Sequence, residues 1–308
     1  MGLHRLLGLT TAVPNPDDLA SFYGEMGLSR KGDVFAGTDD GATVTVEEGD
    51  VRRLVEVAVG VSDESDLVNI ATKLRQNGAT VREESGRITV IEAASRVRFT
   101  VSVAPTEVAG QPAAINEENT YGNTVRRNRR AEGVFAQARS PRRLGHLVIG
   151  SPDRTATRDF ILDGLGFRMS DEIEGVISFL RCSPEHHNIA VVESEVPILQ
   201  HYSFECDDID HVGALATSLL QWTPERHVWG FGRHFAGSNY YWYLRDASGS
   251  FIELYSDMDI IDDDVEWETA GRTPFGFERV ANAWGPNLPL EFVVPADIEV
   301  LKEKWAHR

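Results

Sequence analysis

The 308-residue chain is 42% hydrophobic and 25% charged, a globular balance long enough for two domains of ordinary size. Its net charge of −18 argues against general nucleic-acid binding and against docking on anionic membranes. Two cysteines, Cys182 and Cys206, lack CxxC spacing, and no apolar run approaches the roughly 18 residues needed to span a bilayer, so a reducing cytoplasm is expected.

In chain order, "LLGLTTAVPNPDDLASFYGEMGLSRKGD" (6–33) opens with an apolar strand. Asn15-Pro16 then reads as a helix cap followed by the first helical position, and Gly27 as the helix end. "LVEVAVGVSDESDLVNIATKLRQNGATV" (54–81) reads as strand, acidic turn and amphipathic helix. "RITVIEAASRVRFTVSVAP" (87–105) reads as a β-hairpin. A stretch rich in Gly, Asn and Arg, 106–141, reads as a linker. Its basic cluster "RRNRRAEG" (126–133), echoed by "SPRR" (140–143), has no aromatic interleaving and is expected to be solvated surface.

The plan then repeats. "RLGHLVIGSPDRTATRDFILDGLGFRMSDE" (143–172) places Ser151-Pro152 where Asn15-Pro16 stood, Phe160 for Phe22 and Gly166 for Gly27. "LQHYSFECDDIDHVGALATSLLQW" (199–222) and "YYWYLRDASGSFIELYSDM" (240–258) match the later segments. The expected architecture is α+β, two tandem βαβββ modules. The boundaries are a non-catalytic module at 1–105, a linker at 106–141, a metal-binding module at 142–262, and a tail at 263–308 packed on the second module.

Three polar residues fall where the second copy needs strand core: His146, His201 and Glu253. Their counterparts in the first copy read as Leu9, Glu56 and Phe99. Any one alone reads as a locally satisfied strand residue. Three at equivalent strand positions of one module point to a metal. The hairpin "YLRDASGSFIELY" has Ala247, Ser248 and Gly249 in its loop, and a three-residue loop with glycine last sets Tyr243 opposite Glu253, on one face. Two His and one carboxylate leave open metal positions, as in non-haem Fe(II) sites, with Mn(II) or zinc also compatible. His187 of "HHNIAVVE" and His234 of "GRHFAG" would bring proton donors and acceptors to the same cavity, with His186 an alternative to His187. His4, His211, His227 and His307 read as surface, and Phe179, Phe235 and Trp242 as candidate pocket walls for which core packing is the favoured role.

With its His, long gap, Tyr and Gly-containing turn before Glu, "RHFAGSNYYWYLRDASGSFIELYSDMD" (233–259) resembles the signature of type I extradiol ring-cleaving dioxygenases of the vicinal oxygen chelate superfamily. The resemblance covers most of the chain. It implies two glyoxalase/bleomycin resistance/dioxygenase-like domains and Fe(II), or Mn(II), held by His146, His201 and Glu253. It implies His187 as acid/base, with His234 and Tyr243 as catalytic neighbours. The substrates would be a catechol and O2, the product a hydroxy-muconic-type acid, and the assembly a homo-oligomer. Val148, two residues after His146, should face the pocket and suits a catechol with an apolar substituent. The rival readings are a glyoxalase-like isomerase or lyase, for which Glu56 is the one candidate fourth ligand, and a non-enzymatic protein that binds small aromatics.

Overall fold

The computed structural model of the chain describes residues 2–39, 41–106, 117–272, 276, 279 and 282–307. Part of the expected linker (107–116) and part of the expected tail (273–275, 277–278, 280–281 and 308) lie outside the described residues. The first sheet holds β1 (Leu3–Val13), β2 (Ser29–Lys31), β3 (Val34–Ala36), β4 (Thr43–Glu48), β5 (Arg53–Val61), β6 (Arg82–Glu84), β7 (Arg87–Ile91) and β8 (Arg98–Val103). The second holds β9 (Arg143–Ser151), β10 (Arg168–Ile173), β11 (Ile177–Arg181), β12 (Ile189–Glu193), β13 (Ile198–Glu205), β14 (His227–Arg233), β15 (Tyr240–Arg245) and β16 (Phe251–Ser256).

The strand orders are β2-β3-β4-β1-β5-β8-β7-β6 and β10-β11-β12-β9-β13-β16-β15-β14, identical position for position. Each sheet is therefore two βαβββ units, as the internal repeat implies. They join where β1 meets β5, and β9 meets β13, in antiparallel pairing.

Local chemistry explains most element ends. The helix Pro16–Glu25 begins with Pro in its first turn and gives way to Gly27 at φ +80°, a conformation open to glycine without strain. Gly166, at φ +88°, does the same in the second module. The second module differs at the helix start. Its helix, Arg154–Asp159, is capped by Asp153, whose carboxylate accepts from Ala156 N at 2.9 Å, and not by Ser151. Ser151 Oγ pairs instead with Thr157 Oγ1 at 2.7 Å.

One apolar core joins the modules. Leu9, Val57 and Phe99 of the first sheet and Leu147, Tyr202 and Ile252 of the second belong to the same buried cluster. The Phe99 and Phe160 rings lie 5.6 Å apart across the seam. Tyr23 Oη and Tyr202 Oη are 2.7 Å apart, and Tyr202 donates onward to Asp246 at 2.7 Å. Arg142 and Arg143 of "SPRR" are not solvated linker. Arg142 joins Asp39 (3.2 Å) to Asp207, and Arg143 binds Glu185 (2.9 Å) and Glu205 (2.7 Å). His211 is likewise not on the surface. It is fully buried, bonded to the backbone of Asp207 and Arg139.

The tail reaches both modules. Trp229 Nε1 donates to Pro286 O at 2.9 Å, and Arg52 grips Asp297 through two hydrogen bonds of 2.7 and 2.8 Å. The helix Ile298–Trp305 packs its Leu301 on Val51, Val196 and Ile198. No helix among the described residues is long and apolar enough to cross a membrane.

Candidate metal centre

β9, β13 and β16 are adjacent, and each contributes one polar side chain to the same face. The ladders pair Ser203 with His146 on one side and with Glu253 on the other. His201 lies two residues before Ser203 and so shares its face. The ligand atoms of His146, His201 and Glu253 all lie within 4.8 Å of one another, and the three form the only such cluster among the described residues. His146 Nε2 is 2.8 Å, and His201 Nε2 3.7 Å, from Glu253 Oε2.

The same ladders revise the counterparts. Gly8 pairs with Ala58, and Ala58 with Thr100, so Gly8, Glu56 and Thr100 occupy the places of His146, His201 and Glu253. Leu9 and Phe99 face the shared core instead. Glu56, the candidate fourth ligand, sits on the first sheet and is paired with Arg98 at 3.0 Å.

The hairpin closes as its loop chemistry requires. Asp246 N donates to Ser250 O at 2.9 Å, and Gly249 adopts φ +88°. Tyr243 then faces Glu253, and Arg245 faces Phe251.

A cavity of about 320 Å³ opens beside the cluster. His187, His234 and Tyr243 line it together with Val148, Phe179 and Phe292. Val148 packs with Phe179, Ala190 and Ala236 in a separate apolar cluster. Phe179 thus combines the two roles the sequence offered, a cavity wall and apolar packing. Trp242 packs against the main core, and Phe235 lies under the Arg279 guanidinium.

The two neighbouring histidines separate clearly. The His187 ring lies 4.3 Å from that of His146 and lines the cavity. His186 is absent from that lining; its Nε2 is 3.0 Å from Asp171, its ring packs against Trp267, and its Nδ1 lies 3.1 Å from His187 Nδ1. His234 Nε2 is 3.0 Å from Tyr243 Oη and 3.5 Å from Glu253 Oε1.

Burial sets the charge states. It pushes His201 down to about 3 and His187 well below the ordinary histidine value, so both are neutral at pH 7. Burial opposes ionisation of Glu253, yet the facing His146 and His234 hold it well below the usual carboxylate range. Ser203 Oγ (2.6 Å) and Asn239 Nδ2 (3.0 Å) donate to its two oxygens. The cavity lining described contains no Lys or Arg. A fully buried carboxylate facing two imidazoles, with no fixed cation among those residues, suits a divalent metal, and the nitrogen and oxygen donors fit Fe(II) or Mn(II).

Sequence reasoning missed Ser203, Asn239, Gln200, Trp229 and Phe292. Strand alternation from His201 could have found Ser203. Nothing local marks the others.

Residues 143–254 match the model of the Glyoxalase/Bleomycin resistance protein/Dioxygenase superfamily. Metapyrocatechase 2 of Cupriavidus necator is 30% identical over 256 residues, covering 80% of this chain and 76% of that one. A manganese-dependent 2,3-dihydroxybiphenyl 1,2-dioxygenase of Geobacillus genomosp. 3 is 22% identical over 73% of each chain. An iron-dependent extradiol dioxygenase of Rhodococcus jostii (strain RHA1) is 28% identical over 36% of this chain and 42% of that one. The Mn(II)-bound glyoxalase of Novosphingobium aromaticivorans shares the fold, with a TM-score of 0.71 at 22% identity over 94% of this chain and 95% of that one. The chain belongs to the extradiol catechol dioxygenases of the vicinal oxygen chelate superfamily. These enzymes open a catechol ring beside its diol with O2, and members dependent on iron and on manganese are both among its relatives.

Proposed function

We propose that this chain cleaves a catechol bearing an apolar substituent, with Fe(II), or Mn(II), held by His146, His201 and Glu253. The observation that carries the reading is the convergence of two buried imidazoles and one buried carboxylate on a cavity walled by Val148, Phe179 and Phe292. When bound, the metal supplies open positions for the catechol oxygens and O2 and a path for electrons between them.

The protein's own groups supply the rest. His187, neutral and beside His146, takes a hydroxyl proton from the catechol and returns it as the ring opens. Tyr243 is held protonated, since burial and then Glu253 raise it well above the ordinary tyrosine value. It stands ready to share a hydrogen bond between His234 and a substrate oxygen. The apolar wall around Val148 excludes water and disfavours a carboxylated ring, whose charge would be buried without a partner. The family resemblance further suggests a homo-oligomer, which sedimentation velocity would test, and the two buried free cysteines accord with a reducing compartment.

The test is oxygen uptake and visible absorbance with a panel of alkyl, aryl and carboxylated catechols after anaerobic loading with Fe(II) or Mn(II). Uptake with a yellow product, strongest for apolar substituents and abolished in Glu253→Ala, is the expected result. Loaded protein that consumes no oxygen with any catechol would overturn the proposal.

A further inference from the structure

Gln200 precedes the ligand His201 on β13. Neighbours on a regular strand point to opposite faces. Here the β9–β13 ladder slips, since Leu199 faces Ile149 while His201 faces Val148. Gln200 is the extra residue of this bulge, and a bulge re-aims side chains. Its amide accordingly reaches the His201 ring, where Oε1 and Nδ1 are hydrogen-bonded. At its other end, Gln200 Nε2 donates to the backbone carbonyl of Phe292 at 2.8 Å. Gln200 is itself buried, at 8% exposure.

Phe292 comes from the tail, ninety-one residues beyond the ligand, in the short helix Leu290–Val293. Its ring lies 5.7 Å from His201 and 4.8 Å from Tyr243, and stacks on Phe251 at 5.3 Å. Arg245 holds the same helix through Glu291 at 2.7 Å. The tail is thus both a wall of the cavity and a hydrogen-bond partner of a residue that touches the ligand.

We propose that Gln200 is a positioning residue through which the C-terminal tail fixes the tautomer and orientation of His201. The inference rests on the metal-centre reading above. A backbone carbonyl only accepts hydrogen bonds, so the Phe292 carbonyl requires the Gln200 amide nitrogen to face it. The amide oxygen must then face His201. That oxygen accepts only, so Nδ1 carries the ring proton. Nε2 is left with a bare lone pair, aimed toward Glu253 at 3.7 Å, where a metal would sit. A glutamine without the tail contact could turn its amide over and present a donor to Nδ1, which favours the wrong tautomer. The tail therefore packs against the His201 ring through Phe292 and sets its tautomer through the Gln200 amide.

Two variants separate the halves of this device. Gln200→Leu removes both hydrogen bonds. Gln200→Glu keeps an acceptor for Nδ1–H but sets a carboxylate against the Phe292 carbonyl. The readouts are Mn(II) affinity, from the electron paramagnetic resonance of free Mn(II) during titration, and amide hydrogen exchange of peptides spanning 286–294. Gln200→Leu is expected to weaken Mn(II) binding by about 10–100-fold and to speed exchange in the tail. Gln200→Glu is expected to keep Mn(II) affinity near that of the parent while the tail exchanges faster. Parent-like Mn(II) affinity in Gln200→Leu overturns the inference, as does unchanged tail exchange in Gln200→Glu. If Gln200→Leu does not fold, Gln200→Glu alone decides. A parent protein that binds no Mn(II) overturns the metal-centre reading itself, an outcome distinct from a parent that binds Mn(II) and variants that match it.

Discussion

A neutral, buried His187 differs from the three proposed ligands in what its loss should do. It touches the cavity and the His146 ring but is not among the three convergent residues proposed to hold the metal. His187→Asn should therefore load metal like the parent and lose about 10²–10⁴-fold in turnover, the usual worth of a placed acid/base. Metal analysis beside steady-state oxygen uptake checks this. Metal loss equal to the activity loss would make His187 a ligand or a support for one. His187 was legible in the sequence only as half of a doublet. What resolves the doublet is Asp171 on β10, whose carboxylate takes His186. That contact spans fifteen residues and two strands, and no local pattern encodes it.

Turns were the most readable elements. In the hairpin of β15 and β16, a loop ending in Gly249 was enough to set Tyr243 against Glu253, because register follows loop length. Gly249→Ala meets no close atom, yet it places a side chain at φ +88°. It should lower stability by about 1 kcal/mol with the register kept, as read by urea denaturation. Bulges were the least readable. The similar spellings "LLGL" and "RLGH" invite alignment of Leu9 with His146, but the strand ladders, which slip at the same places in both modules, set Gly8 opposite Ala58 as His146 is set opposite Ser203. The bulge at Gln200 is equally silent, and so is the approach of Phe292 to His201. Both depend on partners far along the chain.

For the whole molecule, the seam between modules combines the apolar core with ion pairs around Asp207. Burial alone would raise this carboxylate, but hydrogen bonds from Arg139 and Arg142 hold it below the usual range. A depressed folded value means stability that is full above the ordinary carboxylate value and is lost as pH falls through the lower, folded one. Asp207→Asn should thus destabilise the protein by roughly 1–3 kcal/mol at pH 7, and the gap should close below about pH 4. Denaturation midpoints across that range provide the check. A gap that widened in acid would reverse the assignment.

The glycine that stands in for His146 has a consequence for the ancestry of the chain. A Cβ at Gly8 would lie 2.6 Å from the Thr43 carbonyl oxygen, so the backbone there has closed over the space a ligand would need. On this reading the first module is not a dormant metal site awaiting three substitutions. Gly8→His, Glu56→His and Thr100→Glu together should leave metal stoichiometry at the parent value, as elemental analysis would report. The difference between the two halves is recorded in the path of the main chain at Gly8 as well as in the side chains, which is why side-chain replacement alone should not restore a site there.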